Sequence, residues 1–142
     1  MNQVLEQAIV RANPTIFREL EPRFTDGRYF ECSDGWYPII SELARRLESE
    51  AVALGPGRLA VVQMKEKLGG LRVYLRGVVS PSAREWVELA EWQSRQTCEL
   101  CSMPGTLRKR ADYTLRTLCE PCALEASYLI ESPEPSNPRV QH

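Results

Sequence analysis

The stretch RLAVVQMKEKLGGLRVYLR, residues 58–76, decides the fold. Two runs suited to β-structure flank Gly69-Gly70, and paired glycines adopt the positive φ that a two-residue hairpin turn requires. Placing Leu68 opposite Leu71 pairs Lys67 with Arg72, Glu66 with Val73, Lys65 with Tyr74, Met64 with Leu75 and Gln63 with Arg76. Alternation then gives one face to Ala60, Val62, Met64, Leu68, Leu71, Val73 and Leu75, with Glu66 its one polar member. That face is expected to meet the core. The other carries Lys65, Lys67, Arg72, Tyr74 and Arg76, and Lys67 against Arg72 is a like-charge pair that destabilises an isolated hairpin.

Helices are expected on both sides. Upstream, Trp36, Ile39, Ile40, Leu43, Leu47 and Ala51 recur at helical spacing while Glu42, Arg45, Arg46 and Glu50 take the opposite face. Asp34 is the expected cap of this helix, which also sets aside a catalytic acid pair of Asp34 with Glu31, and Gly55-Pro56 is its stop. Residues 2–12 form a helix with Leu5, Ala8, Ile9 and Ala12 inward, and Asn13-Pro14 opens a second short helix that buries Ile16, Phe17 and Leu20. Pro22 stops it, and residues 24–33 read as a loop or short strand around an Asp26-Gly27 turn. Downstream, Ser80-Pro81 and a capping box from Ser82 to Glu85 start a helix running to about Arg95, with Trp86, Leu89, Ala90 and Gln93 inward. Trp92 either packs on the C-terminal module or stays exposed and seeds a homodimer contact. The fold class is α+β, with helices packed on a β-hairpin or small antiparallel sheet across residues 1–95. The final SPEPSNPRVQH, residues 132–142, has three prolines and almost no apolar side chains, the composition of a disordered tail.

The most specific chemical signal lies between them. Cys98-Glu-Leu-Cys101, a gap of 17 residues and Cys119-Glu-Pro-Cys122 place two thiolate pairs at tetrahedral metal spacing. Residues 107–118 leave room for a hairpin and residues 119–130 look helical, so residues 96–131 are expected to form a treble-clef-like module integrated with the core. Four thiolates favour Zn²⁺ in a closed, structural site; two disulfides, a thioredoxin-like redox pair and rubredoxin-type iron are the alternatives. No βαβ pattern surrounds either CxxC, which weakens the redox reading. Zn²⁺ with four thiolates carries a double negative charge, and Arg95, Arg108, Lys109, Arg110 and Arg116 stand near enough to offset it. Cys32 has no nearby partner and reads as a small buried hydrophobe beside Phe30 and Trp36.

Composition bounds the rest. With 142 residues, 43% of them hydrophobic, the chain has the length and content for one domain with one core. No run approaches a membrane span and the first residues lack signal-peptide character, so a reducing cytoplasm is the expected setting. The only histidine is His142, which removes His-based triads and His general bases, and neither GxxxxGK[ST] nor GxGxxG occurs. An enzyme is therefore not expected. The net charge of -1 argues against a general polyanion binder, yet residues 58–76 carry a balance of +4 and residues 95–116 one of +3. A face carrying Lys65, Lys67, Arg72, Tyr74 and Arg76 is thus the candidate docking surface for an anionic partner, with Tyr74 as a flat anchor; a solvated outer face screened by salt is the plain alternative.

The residues Asp34-Gly35-Trp36-Tyr37, the run from Val62 to Arg72, CELC with Pro104-Gly105, and Thr117 to Cys122 resemble a family of small, mostly uncharacterised proteins encoded by phages, prophages and bacteria. The resemblance covers about residues 29–123. It implies glycine where Ser33 and Ser102 stand and phenylalanine where Leu68 stands, and Ser102 bears most on the tight turn after a zinc knuckle. It implies no reaction and transfers no catalytic residue. What it implies is context: small phage-borne proteins often bind and disable host machinery, CRISPR effector complexes included, which is an analogy and not a property of the fold. The expectation is an accessory protein acting by stoichiometric binding to a host protein or ribonucleoprotein complex, and the alternative is a zinc-containing nucleic-acid-binding module with salt-dependent, weak contacts.

Overall fold

The computed structural model describes residues 1–22 and 27–131, so most of the Asp26-Gly27 turn and the whole expected tail fall outside the described residues. The hairpin forms from β1 (Leu59–Lys67) and β2 (Gly70–Gly77). Its loop is Leu68-Gly69, not Gly69-Gly70, and the register differs from expectation. Lys67 faces Gly70, Glu66 faces Leu71, Lys65 faces Arg72, Met64 faces Val73 and Gln63 faces Tyr74. Leu68 and Gly69 both take positive φ, 52° and 85°, which matches the strand twist of a tight hairpin. The two glycines serve different ends. Gly69 is a turn residue whose Cβ would lie 2.3 Å from Leu107 Cδ1, whereas Gly70 belongs to β2 and leaves room for the stem of Arg95. Leu68 therefore leaves the core face and is exposed.

A bulge between Val61 and Gln63 shifts the register of the first half of β1, so Leu59, Ala60 and Val61 are all buried and Val62 only half-buried. Met64, Leu71 and Val73 face the core as expected. Glu66 shares that side half-buried, its amide donating to Glu31 O at 2.8 Å, and burial together with nearby Glu99 pushes its carboxyl up.

Helix α1 (Gln3–Ala12) starts at Asn2, whose side chain accepts from Val4 N at 2.7 Å. Its buried residues are Glu6 and Ile9, while Ala8 and Ala12, expected inside, are exposed. The rotation brings the Glu6 carboxylate to the amides of Tyr29 and Phe30, at 2.5 and 3.0 Å. Residues 14–19 form turns instead of a second helix, and Glu48 from the next helix accepts the amides of Thr15 and Ile16 at 3.0 and 2.7 Å. Ile16, Phe17 and Leu20 are nonetheless buried. A 3-10 turn, Asp34–Trp36, leads into α2 (Tyr37–Leu54), which buries Ile40, Leu43, Ala44, Leu47 and Ala51 and ends at Gly55 with φ 95°. Asp34 is not its cap: Oδ1 instead accepts from Asn2 N at 2.6 Å and ties down the start of the chain.

Helix α3 (Pro81–Ser94) begins as expected, the Ser80 hydroxyl accepting from Ala83 N at 3.0 Å. Its inner stripe is the small-residue line Ala83, Ala90 and Ser94 with Trp86 and Val87 half-buried, and Leu89 and Gln93 are exposed. Small residues let the helix lie close along β2, where Ser94 Oγ accepts from Leu71 N at 2.8 Å and Glu91 Oε2 from Val73 N at 3.1 Å. The other edge of the hairpin is covered by backbone: Glu31 N donates to Met64 O and Val61 N to Ile16 O, at 3.1 and 2.9 Å. Trp36, Phe30, Ile40, Leu47, Met64 and Leu71 fill the core between these layers. Cys32 lies in it, with its thiol pushed up to about 12 by burial.

The chain then forms β3 (Thr106–Lys109), β4 (Leu115–Leu118), α4 (Glu120–Ala126) and β5 (Ile130–Glu131), with the strands in the antiparallel order β4-β3-β5. The expected helix over 119–130 is shorter because Ser127 adopts a left-handed φ of 62° and turns Tyr128 inward. No helix among the described residues is long and apolar enough to cross a membrane.

Candidate metal centre and basic face

The first cysteine pair sits in a tight knuckle. Cys98 N donates to Met103 O at 2.7 Å and Ser102 N to Cys98 O at 3.0 Å, a wrap that needs Ser102 in the left-handed region at φ 71°. Serine holds a conformation that glycine adopts more easily, and its hydroxyl donates to Gly35 O at 2.7 Å, which helps to offset the cost. The β3–β4 hairpin then returns the chain so that Cys119 caps α4 and Cys122 lies in its first turn, three residues on.

All four sulfurs, from Cys98, Cys101, Cys119 and Cys122, lie within 4.8 Å of one another, and Cys101 and Cys119 are 3.5 Å apart. A tetrahedral ion with metal–sulfur bonds of about 2.3 Å separates its ligands by about 3.8 Å, so the cluster has the size of one closed tetrahedral site. Burial pushes the Cys98 thiol up, but the backbone N–H groups of Cys119, Cys101 and Leu100 outweigh it and bring it down to about 7. The same donors would hold a thiolate on a metal. Cys122 is driven upward, by burial first and then by the neighbouring thiols. Four sulfurs cannot all carry charge at this range without a cation among them.

Behind the cluster lies a small core of Cys98, Leu118, Ala123 and Tyr128. The module is joined to the rest through polar groups that sequence reasoning missed. Glu99, 3% exposed, accepts from Ser33 N at 3.0 Å and from Arg116 Nε at 3.1 Å, and Arg116 also donates to Ser33 Oγ at 2.9 Å. Gly35 N donates to Glu99 O at 2.6 Å, Trp36 Nε1 to Thr97 O at 3.0 Å, and Thr117 Oγ1 to Gly69 O at 2.6 Å. Glu99 sits inside the CELC motif, which draws attention to its cysteines alone; only the position of Ser33 and Arg116 in space reveals its role.

The basic residues divide into two groups. Arg116 is committed to Glu99, Arg110 pairs with Asp112 at 3.3 Å and lies 4.8 Å from the Tyr128 ring, Lys109 lies 5.1 Å from the Tyr113 ring, and Arg108 donates to Leu118 O at 3.0 Å. On the hairpin, Lys65, Lys67, Arg72, Tyr74 and Arg76 do share the outer face. The like-charge cross-strand pair is Lys65 with Arg72, since the register places Lys67 against Gly70. Lys65 Nζ lies 5.7 Å from the Tyr74 ring, Arg72 donates among the described residues only to Leu71 O at 3.3 Å, and Arg76 forms an ion pair with Glu19. Trp92 is 43% exposed on α3. The chain matches no family model, no curated protein and no solved structure.

Proposed function

We propose that this chain is a phage- or prophage-type accessory protein that acts by stoichiometric binding, docking the outer face of its hairpin on an anionic surface of a host protein or ribonucleoprotein complex, a CRISPR effector being the class its resemblance suggests. The observation that carries the reading is the face itself. Lys65, Lys67 and Arg72 stand together with no ion pair among the described residues, and Lys65 directly opposes Arg72 across the strands. A like-charge pair on a sheet face costs stability that an acidic counterpart returns. Tyr74, beside Lys65, adds a flat surface that is polar at one end. The four cysteines hold Zn²⁺ as a structural ion in this reading, because an all-thiolate set suits it and leaves no open coordination position for a reaction. The expected setting is the host cytoplasm, where thiols stay reduced.

A nucleic-acid-binding module is the second reading, and the engagement of Arg108, Lys109, Arg110 and Arg116 within their own module weighs against it. The test is phage plaquing on a host carrying CRISPR immunity, with the chain expressed in the host. Wild type should restore plaquing and Lys65→Glu/Arg72→Glu should not, with native mass spectrometry showing a protein complex for the first and none for the second. Equal plaquing with the two proteins sinks the reading, and recovery of nucleic acid alone supports the second one.

A further inference from the structure

We infer that Arg72 and Arg95 together form an oxyanion-binding notch beside the turn end of the hairpin, built to take a carboxylate from an acidic segment of a protein partner. The notch deepens the basic-face reading above and rests on it.

The turn chemistry uses Leu68 and Gly69, so Gly70 is free of any conformational duty; it has no positive φ. What its missing side chain provides is space. A Cβ at residue 70 would lie 3.3 Å from Arg95 Cγ, 3.5 Å from Nε and 3.7 Å from Cδ, so the stem of Arg95 lies across this strand position. Gly70 and Arg72 alternate onto the same outer face, which brings the two arginines together. Among the described residues Arg95 Nε is buried with no hydrogen-bond partner, and Arg72 has only the Leu71 carbonyl. Burial and the charge of Arg72 both push the Arg95 guanidinium down. The acid beside them, Glu91, uses Oε2 to accept from Val73 N, and burial pushes its own carboxyl up, so it compensates the pair only in part.

Two guanidiniums side by side, neither in an ion pair with a carboxylate among the described residues, match the planar, multi-donor recognition of a carboxylate. Lys65, opposite Arg72, supplies further positive charge. A protein carboxylate fits better than a nucleic-acid backbone for two reasons. The chain is -1 overall, and in the metal module Arg110 and Arg116 are already paired with Asp112 and Glu99, so a strand with closely spaced phosphates would find few uncompensated cations beyond the hairpin.

The test is fluorescence anisotropy at low salt with a labelled glutamate-rich octapeptide, in parallel with a labelled oligothymidylate. Wild type should bind the peptide one to one. Arg95→Gln, which keeps the stem, should weaken it by about tenfold or more. Gly70→Ser should weaken it by a smaller factor, because its Cβ makes the Arg95 stem give by a few tenths of an ångström while leaving every charge in place, and Lys109→Gln should stay near wild type. Circular dichroism melts matching wild type establish that the variants fold. Peptide binding lost in Lys65→Glu/Lys67→Glu but unchanged in Arg95→Gln or Gly70→Ser overturns the notch and leaves the basic face standing. No peptide binding by wild type, or preference for the oligonucleotide, overturns both.

Discussion

Replacing Gly35 with alanine should loosen the metal centre from the body of the fold without touching a ligand. Gly35 has no positive φ, so alanine pays no conformational penalty there and the whole effect is steric. The new Cβ would lie 2.1 Å from Cys98 O, 2.4 Å from Glu99 C and 2.5 Å from Glu99 O. These are backbone atoms of the knuckle, which cannot swing aside as a side chain can, so the knuckle must retreat by roughly an ångström to reach ordinary packing distance. Three of the hydrogen bonds across that junction involve Gly35 and Trp36: Gly35 N to Glu99 O, Ser102 Oγ to Gly35 O and Trp36 Nε1 to Thr97 O. At about 0.5–1.5 kcal/mol each, their loss amounts to about 2–4 kcal/mol. For a chain of this size that lowers the melting temperature by roughly 10 °C. The assay is thermal denaturation of metal-loaded protein, with Gly55→Ala as reference. Gly55 has φ 95° and ψ 168° with open space around it, so its substitution isolates backbone strain at about 1–3 kcal/mol. Metal content by native mass spectrometry should remain at wild-type level in both variants, since all four cysteines are intact. A melting temperature for Gly35→Ala within scatter of wild type would refute the argument that the knuckle and the Asp34–Trp36 turn are wedged backbone to backbone.

Metal removal should be felt locally: the core behind the thiolates is only Cys98, Leu118, Ala123 and Tyr128, so a chelator should abolish hydrogen-exchange protection over residues 98–128 while α2 and β1 keep theirs. Uniform protection with and without chelator contradicts this. For Cys32, the folded thiol ionises near 12 whereas an exposed one does so near 9, so the neutral form favours folding. Its contribution is complete below pH 9 and is lost as pH rises from there toward 12, by about 1.4 kcal/mol per unit, and wild type should fall faster than Cys32→Ala in urea midpoints across that window. Parallel curves would dispose of the idea. Glu6→Gln replaces one of the two oxygens that hold Tyr29 and Phe30 with an amide nitrogen that cannot accept, at a cost of about 1.5–3 kcal/mol in denaturant unfolding; a change within experimental scatter would show that the clamp is dispensable.

The sequence was most legible where one rule acted alone. The cysteine ligands follow from spacing, α2 from period, and the start of α3 from Ser80 and Pro81, because each is settled within a turn or two of chain. The failures share a physical origin. Glycines 69 and 70 are equivalent to a turn rule, and only the contact of Leu107 with one and of Arg95 with the other distinguishes them. Polar residues that the sequence reading gave no role, namely Glu6, Glu48, Glu91 and Glu99, accept backbone amides from segments distant in the chain, a use that no local period records. The Glu6 carboxylate also explains why the inner side of α1 is turned from its apolar stripe.

The coverage of the hairpin edges restricts how anything can bind here. Along β2 the amides of Leu71 and Val73 are already taken by Ser94 and Glu91, and along β1 the groups of Val61, Met64 and Glu66 are taken by Ile16 and Glu31. A visiting strand thus finds no row of free donors and acceptors to extend the sheet at those positions. Contact with the hairpin at those positions has to pass through side chains standing off the outer face, where a single substitution changes the chemistry presented while the scaffold beneath is left as it was. What that face offers to its surroundings is thereby separable from how the chain folds.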